Sequence, residues 1–139
     1  MLLCMTLRDN DSVEAMIIDK SKILKVLIID DELDICYLLS GILRQKKLRT
    51  SYVNTLSDAE VALKNDTPGL LFLDNHLPDG VGLDFIQHIK TNYPETKIIM
   101  ITAHDSAADR KKAFMQGADF FISKPFTREL IYNTLDKII

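Results

Sequence analysis

Five residues of this sequence stand where short apolar runs stop, and their types are those that hold a cation and an anion side by side. Asp30 and Asp31 follow the run 24–29, Asp74 follows 70–73, Thr102 follows 97–101, and Lys124 comes two residues after 120–122. Three carboxylates gathered in one place repel one another unless a cation neutralises them. Magnesium suits such a set, because it takes hard oxygen ligands, is held by one or two carboxylates, keeps several waters and leaves room for phosphate oxygens. Calcium asks for more protein oxygens than these residues offer. Read singly, an Asp or Lys at such a place is an N-cap or a solvated charge. The joint pattern of an acidic pair, a lone Asp, Thr-Ala and Lys-Pro at successive run ends asks for more than that.

For these residues to meet, the runs must be neighbouring strands. Five runs (24–29, 50–53, 70–73, 97–101 and 120–122) alternate with longer amphipathic stretches, the signature of βαβ units around a parallel sheet. Most runs are apolar without alternation, as strands covered on both faces require; 50–53 is half polar and is expected at a sheet edge. Between them a 3.6-residue period places Ile35, Leu38, Leu39, Ile42 and Leu43 on one helical stripe and Leu83, Ile86 and Ile89 on another. Ser57 precedes Ala59, Val61, Ala62 and Leu63 as a helix start. Ser106 with Asp109 forms a capping-box pattern, Gly117 suits the left-handed residue that ends that helix, and Thr127 opens a last helix with Leu130, Ile131, Thr134, Leu135 and Ile138 along one face.

Right-handed crossovers leave few topologies for five such units, and the doubly wound α/β order 2-1-3-4-5 with five helices is the common one. It makes strands one, three, four and five adjacent and sets all five candidate residues on the carboxyl rim, where ligands of such sheets bind. Residues 1–22 match no element of the repeat and are expected to be a mobile tail or a short extra helix, with Met16 an equally good natural start; 23–139 form the domain.

At 139 residues and 47% hydrophobic, the chain suits one domain. A net charge of -3 and scattered Lys and Arg argue against direct nucleic-acid binding. Cys4 and Cys36 have no metal-ligand spacing and read as idle thiols of a reducing compartment. With no basic leader and no 18-residue apolar run, the sequence points to a cytoplasmic protein that does not enter a membrane. It carries no Gly-rich phosphate loop of the Walker type, so ATP is not an expected ligand.

Over residues 23–139 the chain resembles the receiver domain of two-component response regulators. The resemblance rests on Val26-Leu27-Ile28-Ile29-Asp30-Asp31-Glu32, on Leu73-Asp74-Asn75-His76-Leu77-Pro78-Asp79-Gly80, on Ile101-Thr102-Ala103 and on Ser123-Lys124-Pro125-Phe126. It implies a flavodoxin-like fold in which Asp74 is the phosphoacceptor and Asp30, Asp31, Asp74 and the His76 backbone carbonyl hold magnesium. Thr102 and Ala103 would bind phosphate and switch, Lys124 would be the phosphate-binding cation, and Phe121 the switch aromatic. The implied donor is a histidine kinase or phosphotransfer protein. The implied output is an effector domain or protein, with a phosphorylation-dependent homodimer among the arrangements it allows. The chemistry accords with the groups, since phosphoryl transfer is mostly positioning and charge neutralisation.

His76 and His104 stand two residues after Asp74 and Thr102, where side chains admit or block a hydrolytic water. The expectation is that they tune phosphoryl lifetime, against the plainer reading of surface histidines without a role. Phe121 lacks the polar tip of a tyrosine or histidine. Two other classes compete: a haloacid-dehalogenase-like phosphatase, which usually carries a second Asp where His76 stands, and a receiver-like module that docks without being phosphorylated. No output segment follows Ile139, which leaves a stand-alone receiver and a piece of a longer regulator as open readings.

Overall fold

The computed structural model describes residues 25–139; the expected tail, 1–22, lies outside the described residues. The strands are β1 (Lys25–Ile29), β2 (Arg49–Val53), β3 (Leu70–Leu73), β4 (Lys97–Thr102) and β5 (Phe120–Ser123). The helices are α1 (Leu33–Gln45), α2 (Leu56–Asn65), α3 (Gly82–Asn92), α4 (Ala107–Gln116) and α5 (Arg128–Asp136). All five strands are parallel and run in the order β2-β1-β3-β4-β5, as expected for the doubly wound fold. A two-residue antiparallel ribbon, His76–Leu77 against Gly80–Val81, was not foreseen.

The side-chain alternation of the strands divides the interior in two. Val26, Ile28, Leu70, Phe72, Ile99, Ile101 and Ile122 pack against Cys36, Leu39, Ile42 and Leu43 of α1 and Ile131 and Leu135 of α5. Leu27, Ile29, Leu71, Leu73, Ile98 and Met100 face the other way, onto Ala59 and Leu63 of α2, Leu83, Ile86 and Ile89 of α3 and Ala113 of α4. Strand β3, apolar throughout, is buried throughout, whereas β2 lies at the edge with Arg49, Ser51 and Tyr52 exposed. Leu38 and Leu130, expected on packing stripes, are 50% and 41% exposed. Each stands one position before the central buried residue of its helix, Leu39 or Ile131, and so is rotated by ~100° away from the sheet.

Helix ends follow the polar residues beside them. Ser106 Oγ accepts from Asp109 N at 3.1 Å and Thr127 Oγ1 from Leu130 N at 3.0 Å. Gly117 ends α4 at φ 119, a left-handed conformation that glycine adopts without a Cβ penalty. The start of α2 corrects the expectation at Ser57: Thr55 is the cap, its Oγ1 accepting from Asp58 N at 3.0 Å, and Ser57 lies inside the first turn.

Two glycines should respond oppositely to alanine. At Gly82 a Cβ would sit 2.1 Å from the Asp74 carbonyl oxygen, whereas at Gly41, exposed in mid-helix, it would meet nothing within 4 Å. Gly82→Ala should therefore cost at least ~1–3 kcal/mol in urea unfolding. Gly41→Ala should raise stability by ~0.5–1 kcal/mol.

Candidate functional site

The register of the central strands sets two carboxylates side by side. Ile29 pairs with Leu73, and the ladder runs one step further as Asp74 N donates to Ile29 O at 2.9 Å and Asp30 N to Val53 O at 3.1 Å. Asp30 and Asp74 leave the sheet as neighbours, 0% and 4% exposed, while Asp31 beyond them is exposed. Carboxylate oxygens of Asp30, Asp31 and Asp74 lie within 4.8 Å of one another. The Asp30 backbone is fixed from below, its carbonyl accepting from Asn54 Nδ2 at 2.8 Å and from the buried Cys36 Sγ at 3.3 Å.

Lys124 closes the cleft from β5. Thr102 pairs with Ser123, and Lys124 N donates to Thr102 O at 2.9 Å, which draws the residue inward; the following Lys124–Pro125 peptide is cis. Its Nζ lies 2.6 Å from Glu32 Oε1, 2.8 Å from Asp30 Oδ2 and 3.6 Å from Asp74 Oδ2. Thr102 is buried and its Oγ1 accepts from His104 N at 3.1 Å, which leaves its own proton to donate. Asp31, Glu32, Asp74, His76, Thr102, Ala103, His104 and Lys124 line one cleft. A hollow at the opposite rim of the sheet, lined by Lys25, Arg49, Thr50 and Asp66, offers one carboxylate, and Lys25 pairs with it at 2.8 Å.

Negative charge exceeds positive in this cleft. Burial pushes the Asp74 carboxyl up to about 6, the charge of Asp30 pushes the same way, and Lys124 only partly opposes them. Asp30 is also raised, again by burial first, against its contact with Lys124. Burial pulls Lys124 down, but hydrogen bonds to Asp30 and Glu32 and the charge of Asp74 outweigh it and hold the ammonium above its usual range. Raised acids around a raised base express one fact: several anions share one cation. A divalent ion with hard oxygen ligands fits this donor set. The fit is sharpest at Asp30 Oδ2, which is fully buried and, among the described residues, is met by the Lys124 ammonium alone, at 2.8 Å.

The loop after Asp74 is held at both ends by contacts that the sequence analysis missed. Asn75 takes Gly82 N on its carbonyl at 2.8 Å and Leu83 N on Oδ1 at 3.0 Å, so it caps α3. Asp79 accepts from Leu56 N at 2.8 Å and Ser57 N at 2.9 Å, capping α2 from a separate loop, and these two hydrogen bonds hold its carboxyl below the usual range. An Asp beside Gly in a tight turn was the available signal, but its partner lies 23 residues away. Glu32, the residue nearest the Lys124 ammonium, was likewise not singled out. Of the expected site residues, Phe121 stands apart: it is half-buried against the α2–α4 side of the core, its ring 4.9 Å from the Arg110 guanidinium and 6.5 Å from Phe114. His76 and His104 do meet, with ring centroids 4.1 Å apart and planes tilted by 42°.

The family model of the response regulator receiver domain matches residues 26–136. Among curated relatives, the response regulator protein PilR of Pseudomonas aeruginosa is 38% identical over 115 residues, 80% of this chain and 26% of that protein. The phosphate regulon transcriptional regulatory protein PhoB of Escherichia coli is 31% identical over 77% of this chain and 48% of its own length. The chain thus spans between a quarter and a half of these relatives. Among solved structures, the beryllofluoride-activated NtrC4 receiver domain dimer is 37% identical with a TM-score of 0.78, covering 82% of this chain and 94% of that one. The BeF3-activated DrrB receiver domain is 28% identical with a TM-score of 0.75, covering 81% and 94%. The sheet order, the acidic cleft and these matches agree, and the chain belongs to the response regulator receiver domain family.

Proposed function

We propose that Asp74 accepts a phosphoryl group from a partner histidine kinase or phosphotransfer protein and that the chain is the switch of a two-component phosphorelay. The observation that carries this reading is the Asp74 carboxylate itself. It is buried at a strand end, grouped with Asp30 and Asp31, and has one oxygen 3.6 Å from the Lys124 ammonium and the other held by Asn75 N at 2.8 Å. In the transfer an Asp74 oxygen attacks the phosphorus borne by the partner's imidazole. The new P–O bond forms, the P–N bond breaks, and the imidazole nitrogen leaves with the electron pair. Asp30, Asp31, Asp74 and the His76 backbone carbonyl would hold magnesium, which when bound neutralises oxygens of the transferring group. Lys124 neutralises them from the β5 side, and the Thr102 hydroxyl with the Ala103 backbone N–H donates hydrogen bonds to the product.

Thr102 turning toward the phosphoryl group couples the cleft to Phe121 and so to the surface of α4, β5 and α5. That face then differs between the two states and is what an output domain, a downstream protein or a second copy in a phosphorylation-dependent homodimer distinguishes. The NtrC4 receiver, a dimer in its beryllofluoride-activated form, supports the last of these. The role is regulatory rather than enzymatic, self-phosphorylation and self-dephosphorylation being its own chemistry. A cytoplasmic location without membrane or nucleic-acid binding accords with the kinase partner, with the net charge of -3 and with the lack, among the described residues, of a helix long and apolar enough to cross a membrane. His76 and His104, side by side at the cleft mouth, tune the lifetime of the phosphoryl group by obstructing the hydrolytic water.

Incubation with magnesium and acetyl phosphate should add the mass of one phosphoryl group to the protein and none to Asp74→Asn; a folded parent without adduct would leave only the docking-module reading. The raised Asp74 acid makes a second prediction. Its folded value, about 6, exceeds an unfolded value of ~3.9, so its favourable contribution to stability is full below the unfolded value and is lost as pH rises through about 6. In metal-free buffer, Asp74→Asn should therefore resist urea better than the parent at pH 8, by up to ~2 kcal/mol, with the gap closing toward pH 4. Coincident curves at every pH would contradict the strained carboxylate. For the histidines, His76→Ala and His104→Ala should change the phosphoryl half-life between pH 6 and 8, and unchanged half-lives would remove them from the mechanism.

A further inference from the structure

We propose that Asn54 and Asp79 are positioning residues for the cation of the cleft: through one short turn, 54–57, they clamp the loop after β1 to the loop after β3 and so set the spacing between the Asp30 carboxylate and the His76 backbone carbonyl. The turn grips both sides. Asn54, directly after β2, donates from Nδ2 to the Asp30 carbonyl at 2.8 Å. Leu56 N and Ser57 N, at the other end of the turn, donate to Oδ1 and Oδ2 of Asp79 at 2.8 and 2.9 Å. Asp79 stands in the bend of the ribbon in which His76 pairs with Val81 and Leu77 with Gly80, so holding its carboxylate at two points holds the ribbon and with it the His76 carbonyl. The contact is close: a Cβ on Gly80 would lie 2.7 Å from Leu56 Cδ1.

Capping alone does not account for Asp79. Helix α2 has a cap in its own sequence, Thr55, whose Oγ1 accepts from Asp58 N at 3.0 Å, and the two hydrogen bonds to Asp79 are exposed, where water would satisfy the same amides. What the carboxylate adds over water is a fixed link between two loops. Magnesium asks for near-ideal octahedral geometry at ~2.0–2.1 Å, so a carbonyl on a loose loop must be ordered at the moment of binding, at a cost in affinity. Two charge-assisted hydrogen bonds meet that cost in advance. The inference rests on the magnesium reading of the cleft given above.

The test is titration of the isotope-labelled full chain with magnesium chloride at physiological ionic strength, followed through the backbone amide resonances, which also report that each variant is folded. Asn54→Ala and Asp79→Ala should each bind magnesium more weakly by on the order of tenfold, with the milder Asp79→Asn, which keeps one acceptor oxygen, in between. The double variant Asn54→Ala with Asp79→Ala should be no weaker than the weaker single one, because a clamp opened on one side is already open. Two controls separate positioning from stability and from charge: Thr55→Ala removes the cap of the same helix, Asp58→Asn removes a charge from the same turn, and both should keep the parent's affinity. Parent affinity in Asp79→Ala, an equal loss in either control, or a loss in the double variant that is the product of the two single losses would overturn the clamp while the magnesium reading stands. A parent that binds no magnesium would overturn that reading and the clamp with it.

Discussion

Lys124 and the carboxylates around it form the constraint on which the rest of the molecule depends. Two like charges ~4 Å apart at an effective dielectric near 20 repel by on the order of 4 kcal/mol, and one ammonium cannot offset every pair among Asp30, Glu32 and Asp74. Such a cluster persists only because the strands that carry it are fixed by something stronger. The two apolar layers supply that: β1, β3 and β4 are sandwiched between α1 and α5 on one side and α2, α3 and α4 on the other, so their ends cannot drift apart to relieve the charge. Stability of the core is thereby converted into electrostatic tension at one rim, and a bound cation or phosphoryl group acts on that tension.

The loop between Asp74 and α3 shows how finely the tension is held. Asn75 ties its start to the first turn of α3, Asp79 ties its far side to the first turn of α2, and Gly82 lets the helix approach the Asp74 carbonyl without a side chain between. Both helix amino termini are satisfied by this one loop, so its backbone, including the His76 carbonyl, is anchored to two elements that belong to the same apolar layer.

Much of this was legible in the sequence because it is periodic or local. The apolar runs gave the strands to within a residue or two, the polar β2 declared its place at the edge, and Ser106, Gly117 and Thr127 marked helix ends through contacts a few residues long. The rim followed from the winding, since parallel strands end on one side. What was not legible depends on contacts distant in sequence. Thr55 displaced Ser57 as the cap of α2 where Asp79, from another loop, covers the next two amides; Glu32 met Lys124 across 92 positions; and Leu38 and Leu130 fell off their stripes because the sheet covers a narrower arc than the apolar residues span. The short ribbon after Asp74 had no apolar pattern to announce it.

The thiol beneath the cleft carries a different consequence. Cys36 donates to the Asp30 carbonyl, and burial, followed by the charge of Asp30, pushes its pKa up to about 11. At neutral pH about one molecule in ten thousand would then carry a thiolate, the form that attacks peroxides and disulfides. Oxidation of cysteine follows thiolate character and exposure, and here burial first, then the charge of Asp30, suppresses both. The same burial that raises the carboxyls of Asp30 and Asp74 keeps this sulfur protonated and insulates the site from the oxidation state of its surroundings.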